Sequence, residues 1–350
     1  MLASMRLSTS LPYASDIKSA ASQVHDLEAA GIDLIWVAEA YGFDGVSVLG
    51  YLAGQTETVG LAAGILPIYS RTPTLLAMTA AGLDDMSDGR FELGIGASGP
   101  QVIEGFHGVP YDRPLARTRE IIEICRKVWA REEPLTYDGE AYQVPLPPGE
   151  GTGLGKPLKI INHPVRAEIP IYVAALGEKN VELTAEIADG WLPLFFVPDK
   201  TGEVFGASLA AGMAKRDPAL GPLDICAGGL VAIGEEKEVG RVRDFARPAV
   251  ALYVGGMGAR DRNFYNALVR RYGYEAAAAE IQDLYLAGKK KEAEAAVPAE
   301  LLELTNLVGP EGYIKERIAA FQDAGVTVLN VTPVGPDPVA MIEKLKSWTS

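Results

Sequence analysis

"EAAGIDLIWV" (residues 28–37) and "QDAGVTVLNV" (residues 322–331), at opposite ends of the chain, are two copies of one joint. In each, a run of helical period ends in Ala-Gly and passes at once into a short apolar run. A glycine just past the last helical turn can take the left-handed backbone that stops a helix, and a bounded apolar run reads as a buried strand. Before the first joint, Ile17, Ala20, Val24 and Leu27 recur at helical spacing behind the capping candidate Ser15. Before the second, Pro310 suits a first helical turn and Ile314, Ile318 and Phe321 form the inner stripe.

The same alternation fills the chain between the joints. Strands are expected near residues 5–10, 33–38, 59–66, 91–96, 169–175, 190–195, 224–233 and 326–332, with helical segments between them. Short strands alternating with helices indicate parallel βαβ units, and eight of them close into a (β/α)8 TIM barrel. A plain barrel takes about 250 residues, so the 350-residue chain carries extra segments on one barrel domain. Residues 132–168, rich in Pro and Gly, form an expected insertion before strand five; residues 255–308 form a helical insertion before the last helix and strand. Long excursions on a barrel are usually functional, because its site lies at the C-terminal ends of the strands.

Composition excludes several classes of function. Thirty-two Lys and Arg against 46 Asp and Glu give a net charge of −14, which opposes general binding to nucleic acid or anionic membranes. An anionic ligand therefore needs local donors. Cys125 and Cys226 are too few for a disulfide framework and suit a reducing cytoplasm. No apolar stretch is long enough to span a membrane. The three histidines, His25, His107 and His163, lack metal-ligand spacing.

Within "LAAGILPIYSRTP" (61–73), Gly64 interrupts a strand. Glycine there weakens a strand and marks a bulge or a close approach to the backbone. "GIGASG" (94–99) matches G-x-G-x-x-G but falls after the fourth strand, whereas the dinucleotide fingerprint belongs to the first turn of an open sheet. On a barrel, the same small residues let a ligand lie against the backbone, with Ser98 and Gln101 as donors. The turn from Gly177 through Glu178 and Lys179 to Asn180 opens a helix, where free N–H groups and the macrodipole can cradle phosphate; an ordinary helix start with a solvated Lys179 is the alternative. Glu39, ending strand two, could bond a ring N–H or shuttle a proton, or be a capping or salt-bridging carboxylate. His107 is the one histidine near an expected mouth loop and a candidate acid or base. Tyr13, Tyr41, Tyr69, Trp191, Phe196 and Met257 are candidate pocket walls or core.

The segment "RTPTLLAMTAAGLDDMSDGRFELGIGASGPQVIEGFHG" resembles the signature of the bacterial-luciferase-like superfamily, in its branch of oxidoreductases using the deazaflavin coenzyme F420. The likeness extends to the first strand, "AEIADGWLPLFF", "ALYVGGMG" and "AGVTVLNVTP". It implies hydride transfer between F420 and a small organic substrate on a homodimer. It also implies a non-prolyl cis bond at Gly64–Ile65 behind the central ring, with Gly64 permitting the approach. Glu39 would lie near the ring, Ala97, Ser98, Gly99 and Gln101 along the ring and ribityl chain, and Ala175, Leu176, Gly177, Glu178, Lys179 and Asn180 at the phosphate. Several deazaflavin dehydrogenases carry Asp-His at the end of strand two, where this chain has Glu39-Ala40, so alcohol oxidation through that histidine is not expected. The alternatives are an FMN-dependent monooxygenase on the same barrel and a barrel that binds deazaflavin or flavin without turnover.

Overall fold

The computed structural model describes residues 5–11, 16–260 and 262–349. Eight parallel strands form the barrel: β1 (Arg6–Ser10), β2 (Leu34–Val37), β3 (Gly60–Ala63), β4 (Phe91–Gly96), β5 (Ile171–Ala174), β6 (Gly190–Leu192), β7 (Asp224–Ala227) and β8 (Val328–Asn330). Each pairs with the next, and β8 returns to β1 through Arg6 opposite Val328, so the sheet closes as the alternation requires. The joints that decide the fold are built alike. Gly31 and Gly325 have φ of +87° and +90°, and each donates its N–H to the carbonyl three residues back, Glu28 and Gln322. The next N–H, of Ile32 or Val326, reaches Leu27 or Phe321, which completes a Schellman stop. Asp16 caps the first helix; its side chain accepts from the Lys18 N–H. Ser15 and Tyr13 lie outside the described residues.

Strand pairing sorts the side chains by the period of two. Leu7, Ile35, Leu61, Phe91, Leu93, Ile95, Val173 and Trp191 point outward into the main core beneath the helices. Leu34, Trp36, Ala62, Tyr172, Cys226 and Val328 fill the barrel interior. Gly190 makes room there, since a Cβ on it would lie 2.1 Å from the Tyr172 ring. Toward the N-terminal end, Arg6 donates to Glu92 (2.5 Å), to the Tyr172 hydroxyl (2.5 Å) and to Asp224 (2.9 Å). Burial pushes the Glu92 carboxyl up, against the pull of Arg6. This charged floor closes the bottom of the barrel, and whatever the barrel binds enters from the other end.

Two strands depart from simple expectation. β6 ends at Leu192 because Pro193 has no N–H to continue the ladder. β7 stops at Ala227 and resumes as Leu230–Ile233, with Gly228 and Gly229 between. Beyond that break the partner changes: Leu307–Gly309 lies beside Leu230–Ile233 on one side and Thr332–Pro333 on the other. A strand thus ends the helical stretch after residue 255 and takes the place that β6 vacates.

β3 contains the bulge that Gly64 suggests. Ala62 pairs with Glu92 and Leu66 with Ile95, so four residue steps on β3 run against three on β4 and one residue is extra. The facing glycines are what the bulge requires. A Cβ on Gly94 would sit 1.8 Å from the Ala63 carbonyl oxygen, and one on Gly96 would sit 2.3 Å from Cδ1 of Ile65. A Cβ on Gly64 would instead make ordinary contact, 3.4 Å from Cβ of Trp36. Overpacking a full core costs about 1–3 kcal/mol. Gly94→Ala should therefore destabilise the protein by about 2 kcal/mol or more, and Gly64→Ala by less than about 1 kcal/mol. Urea denaturation of the two variants checks the contrast; equal midpoints would show that the groove does not grip the bulge.

Candidate active site at the barrel mouth

The mouth is built from the loops that leave the C-terminal ends of the strands. At β2 and β3 the backbones of the two segments are cross-linked: the Gly64 N–H donates to Val37 O (2.7 Å) and the Glu39 N–H to Ile65 O (3.3 Å). The Gly64–Ile65 peptide is trans; among the described residues the cis bond is Val144–Pro145. The expected cis bond is thus corrected, while the bulge it was to create is present. A cis bond at a non-proline residue costs about 3–4 kcal/mol, and here one extra residue diverts the chain without it.

Glu39 takes the second of its two expected roles. Both carboxylate oxygens accept from Arg71, at 2.6 and 2.8 Å, and Oε2 also accepts from the Gly45 N–H at 2.8 Å. Arg71 reaches on to Asp44 (2.8 Å), whose other oxygen caps the helix Gly45–Ala53 at the Ser47 N–H. These bonds outweigh Asp44's partial burial and hold its carboxyl below the usual range. The Glu39 and Arg71 side chains are only 9% and 12% exposed, so the pair is a shielded, bidentate one of the strong kind.

The loop after β4 carries Ala97, Ser98 and Gly99, half-buried, and leads into the helix Pro100–Gly105, where Gln101 is exposed. Ser98 has a left-handed backbone (φ +57°), which a residue with a Cβ adopts at a cost of about 1–2 kcal/mol. Strain of this kind collects where a loop is held against a ligand. Further along, His107 is half-buried, with its ring 5.2 Å from Phe106. Its Nε2 is buried without a hydrogen-bond partner. Phe106 in turn lies 6.3 Å from Tyr41 of the β2 loop, so the two loops approach each other across the mouth.

β5 ends in Ala174, and buried Ala175 accepts from Nε1 of Trp191 through its carbonyl (2.8 Å). Leu176 leads to Gly177, the N-cap of the helix Glu178–Ile187, which has no side-chain cap. Inside that first turn, Oδ1 of Asn180 is buried and unpartnered. Lys179 is 77% exposed and bonded to Glu182 (2.9 Å), as the bland reading of it would have it. Any anion held here is met by backbone N–H groups and the helix dipole more than by that ammonium.

The remaining wall is aromatic, and sequence reasoning found little of it. Phe195, just past β6, has φ of +54°, an outlier for a bulky residue. Its ring packs edge-on against Tyr253 (5.8 Å) and Tyr265 (6.3 Å). Burial, with the hydroxyls of Tyr253 and Tyr111 close by, pushes the Tyr265 phenol up. Tyr111 stacks on Tyr69 at 5.0 Å, and Arg117 lies between the rings of Tyr69 and Tyr142, 5.2 Å from each. Phe264, beside Tyr265 on the helix Phe264–Arg271, would touch a Cβ on Gly177 at 3.9 Å. Of the six aromatic and Met candidates, Trp191 and Phe196 are core, 0% and 1% exposed, because Trp191 alternates outward from Gly190. Tyr69 is buried in the stack, Tyr41 is exposed, and Met257 is half-buried at the end of the helix Arg247–Gly256.

A bulged third strand facing a glycine groove, a strained small-residue loop and an uncapped helix start now stand around one opening. Comparison with known proteins identifies the arrangement. A family profile described as luciferase-like monooxygenase matches residues 1–328. The chain belongs to the luciferase-like monooxygenase family. Within it, the chain is 43% identical over 339 residues to a Mycobacterium tuberculosis protein named "Putative coenzyme F420-dependent oxidoreductase", covering 95% of this chain and 96% of that one. It is 29% identical to the 5,10-methylenetetrahydromethanopterin reductase of Archaeoglobus fulgidus, with 90% of each covered. Among solved structures, the coenzyme F420 dependent tetrahydromethanopterin reductase of Methanopyrus kandleri superposes over 98% of both chains with a TM-score of 0.77 at 22% identity. An F420-dependent secondary alcohol dehydrogenase superposes over 98% of both with a TM-score of 0.70 at 17% identity. Those two likenesses concern the luciferase-like barrel as a fold.

Ser98 offers a test of the strained loop. Ser98→Gly should leave the free protein as stable or stabilise it by about 0.5–1 kcal/mol, since glycine takes φ > 0 without penalty, whereas Ser98→Val should destabilise it by more than about 1 kcal/mol. Denaturant midpoints of the pair decide; a destabilised Ser98→Gly would mean that the serine side chain, not the ligand, holds the loop.

Proposed function

We propose that this protein is an F420-dependent oxidoreductase that moves a hydride between the deazaflavin and a small organic substrate at the barrel mouth. The observation that carries the reading is the β3 bulge seated in the Gly94–Gly96 groove, which presents bare backbone at the opening. The 43% identity to the mycobacterial relative supports the choice of cofactor.

The residues present fit such a group. Gly64 and Ile65 would back its rings and Ala97, Ser98, Gly99 and Gln101 would line its side. Ala175 through Asn180 would hold its phosphate, where the helix start has no side-chain cap and its first N–H groups are left to donate. When bound, F420 supplies hydride chemistry at C5 of its central ring. The chain's own work is to fix the geometry and keep water out. The aromatic wall of Phe195, Tyr253 and Tyr265 suits the exclusion of water, and His107 Nε2, buried and unpartnered, is the atom we assign to hold or move a proton. Because Glu39 is committed to Arg71, it serves the cofactor as a fixed support.

Titration of the purified protein with oxidised and reduced F420 and, in parallel, FMN, followed by intrinsic fluorescence quenching, tests this reading. Micromolar or tighter binding of F420, with FMN at least ten-fold weaker, is expected. Preference for FMN would move the protein to the oxygen-using branch of the family, and F420 binding without reoxidation by any of a broad substrate panel would favour a carrier.

We also propose a homodimer. Tyr51, Leu75, Met78 and Met86 are large apolar residues left 41–55% exposed on the adjacent helices Gly45–Ala53 and Pro73–Met86, a cluster suited to cover by a second copy. Light scattering should give twice the 37.2 kDa chain mass, and Met78→Glu should shift it to monomer. Among the described residues no helix is long and apolar enough to cross a membrane. The buried free thiols of Cys125 and Cys226 suit a reducing cytoplasm, where we place the protein.

A further inference from the structure

We infer that Arg71 is a positioning residue: through Glu39 it holds the Gly64–Ile65 bulge in the shape that receives the cofactor. The inference rests on the F420 reading above and goes beyond it by assigning a role to a residue outside the set given to the cofactor. The connections form a closed circuit. The Arg71 guanidinium grips the Glu39 carboxylate at 2.6 and 2.8 Å. The Glu39 N–H donates to Ile65 O at 3.3 Å. From Ile65 the chain runs through Leu66, Pro67, Ile68, Tyr69 and Ser70 back to Arg71.

Each part of the circuit removes a freedom. On one side the bulge is pressed into β4, where Gly94 and Gly96 leave no space for a Cβ. On the other, backbone bonds from Gly64 to Val37 and from Glu39 to Ile65 tie it to the end of β2 and the residues just beyond, and the second is long. Glu39 lies past the end of β2, which stops at Val37, so the ladder does not fix it. What fixes it is the side chain, held by Arg71 and by the Gly45 N–H. Asp44 accepts from Nη2 of Arg71, the nitrogen that also donates to Glu39 Oε2, and, by capping the helix Gly45–Ala53 at Ser47, anchors the assembly to a rigid element. A planar, bidentate guanidinium sets both distance and orientation, which a lysine ammonium cannot do. The circuit is shielded rather than open to the ligand, so its effect on the site is transmitted through backbone.

A double-mutant cycle on F420 affinity tests this. Arg71→Met, Glu39→Gln, the double variant and Arg71→Lys are titrated with F420 by fluorescence quenching, at least 15 °C below the lowest melting temperature of the set. Arg166→Met is the control, because it breaks a comparable ion pair, to fully buried Asp84, at the opposite end of the barrel. Arg71→Met and Glu39→Gln should each weaken binding ten-fold or more, and the double variant should be no weaker than the worse single one, because both cut the same circuit. Arg71→Lys should recover part of the loss. Arg166→Met should lower the melting temperature and leave Kd within two-fold. Wild-type affinity in Arg71→Met would overturn the inference, as would losses that multiply in the double variant or an equal loss in the control. The cofactor reading fails separately: wild-type protein that binds FMN instead transfers the same cycle to FMN, and protein that binds neither refutes the reading and the inference together.

Discussion

One steric constraint organises the mouth: an extra residue in β3 has to be accommodated by its neighbour, and β4 does so by having no Cβ at positions 94 and 96. A sheet tolerates a bulge where the facing strand leaves room or the bulge lies at an edge. In a closed barrel there is no edge, so the room has to be inside. The two glycines supply it: both are buried, and the Ala63 carbonyl and the Ile65 side chain fill the space their missing Cβ atoms leave. The strained Ser98 follows two residues later, already in the loop that the groove launches. The bulge, a loop bent against its preference and the uncapped helix start after β5 thus descend from adjacent strands.

The opposite end of the barrel is arranged by another rule. Arg6, Glu92, Tyr172 and Asp224 form a charged network at the floor, in which Oε2 of Glu92 is buried without a partner, and it is expensive to break because losing one partner strands the others. Above it the interior turns to small and weakly polar groups: Cys226 near Ser8, and Ser8 and Ser10 bridged by Asn330. Trp36, in register with Ser10 and edge-on to Tyr172 at 5.2 Å, fills the interior at that level.

Much of this was legible in the sequence, and the reasons are local. The two Ala-Gly joints announce helix stops through backbone chemistry alone, and the apolar runs that follow can only be strands, so the barrel could be counted. The Gly64 bulge was legible too, but the glycines it needs were assigned to the ligand, because nothing in a linear sequence says which strands are neighbours across a ladder. The same ignorance hid Arg71: a lone arginine between Ser70 and Thr72 has no visible partner until the barrel brings Glu39 beside it. Phe195 was missed because φ is not written in a phenylalanine. Trp191 and Phe196 were offered as walls only because the register of β6, fixed by the fit of Gly190 to the Tyr172 ring, could not be read beforehand.

The exchange of partners beside β7 has a consequence of another kind. Where β6 leaves the sheet at Pro193, Leu307–Gly309 enters it, so the chain between β7 and β8 is moored in the barrel wall just before it returns to the helix Glu311–Asp323 that precedes β8. The helices it carries, among them the one with Phe264 and Tyr265, hang between two fixed points. One of them reaches back: Phe264 lies against Gly177, so this span is coupled to the turn after β5 as well as to the aromatic wall.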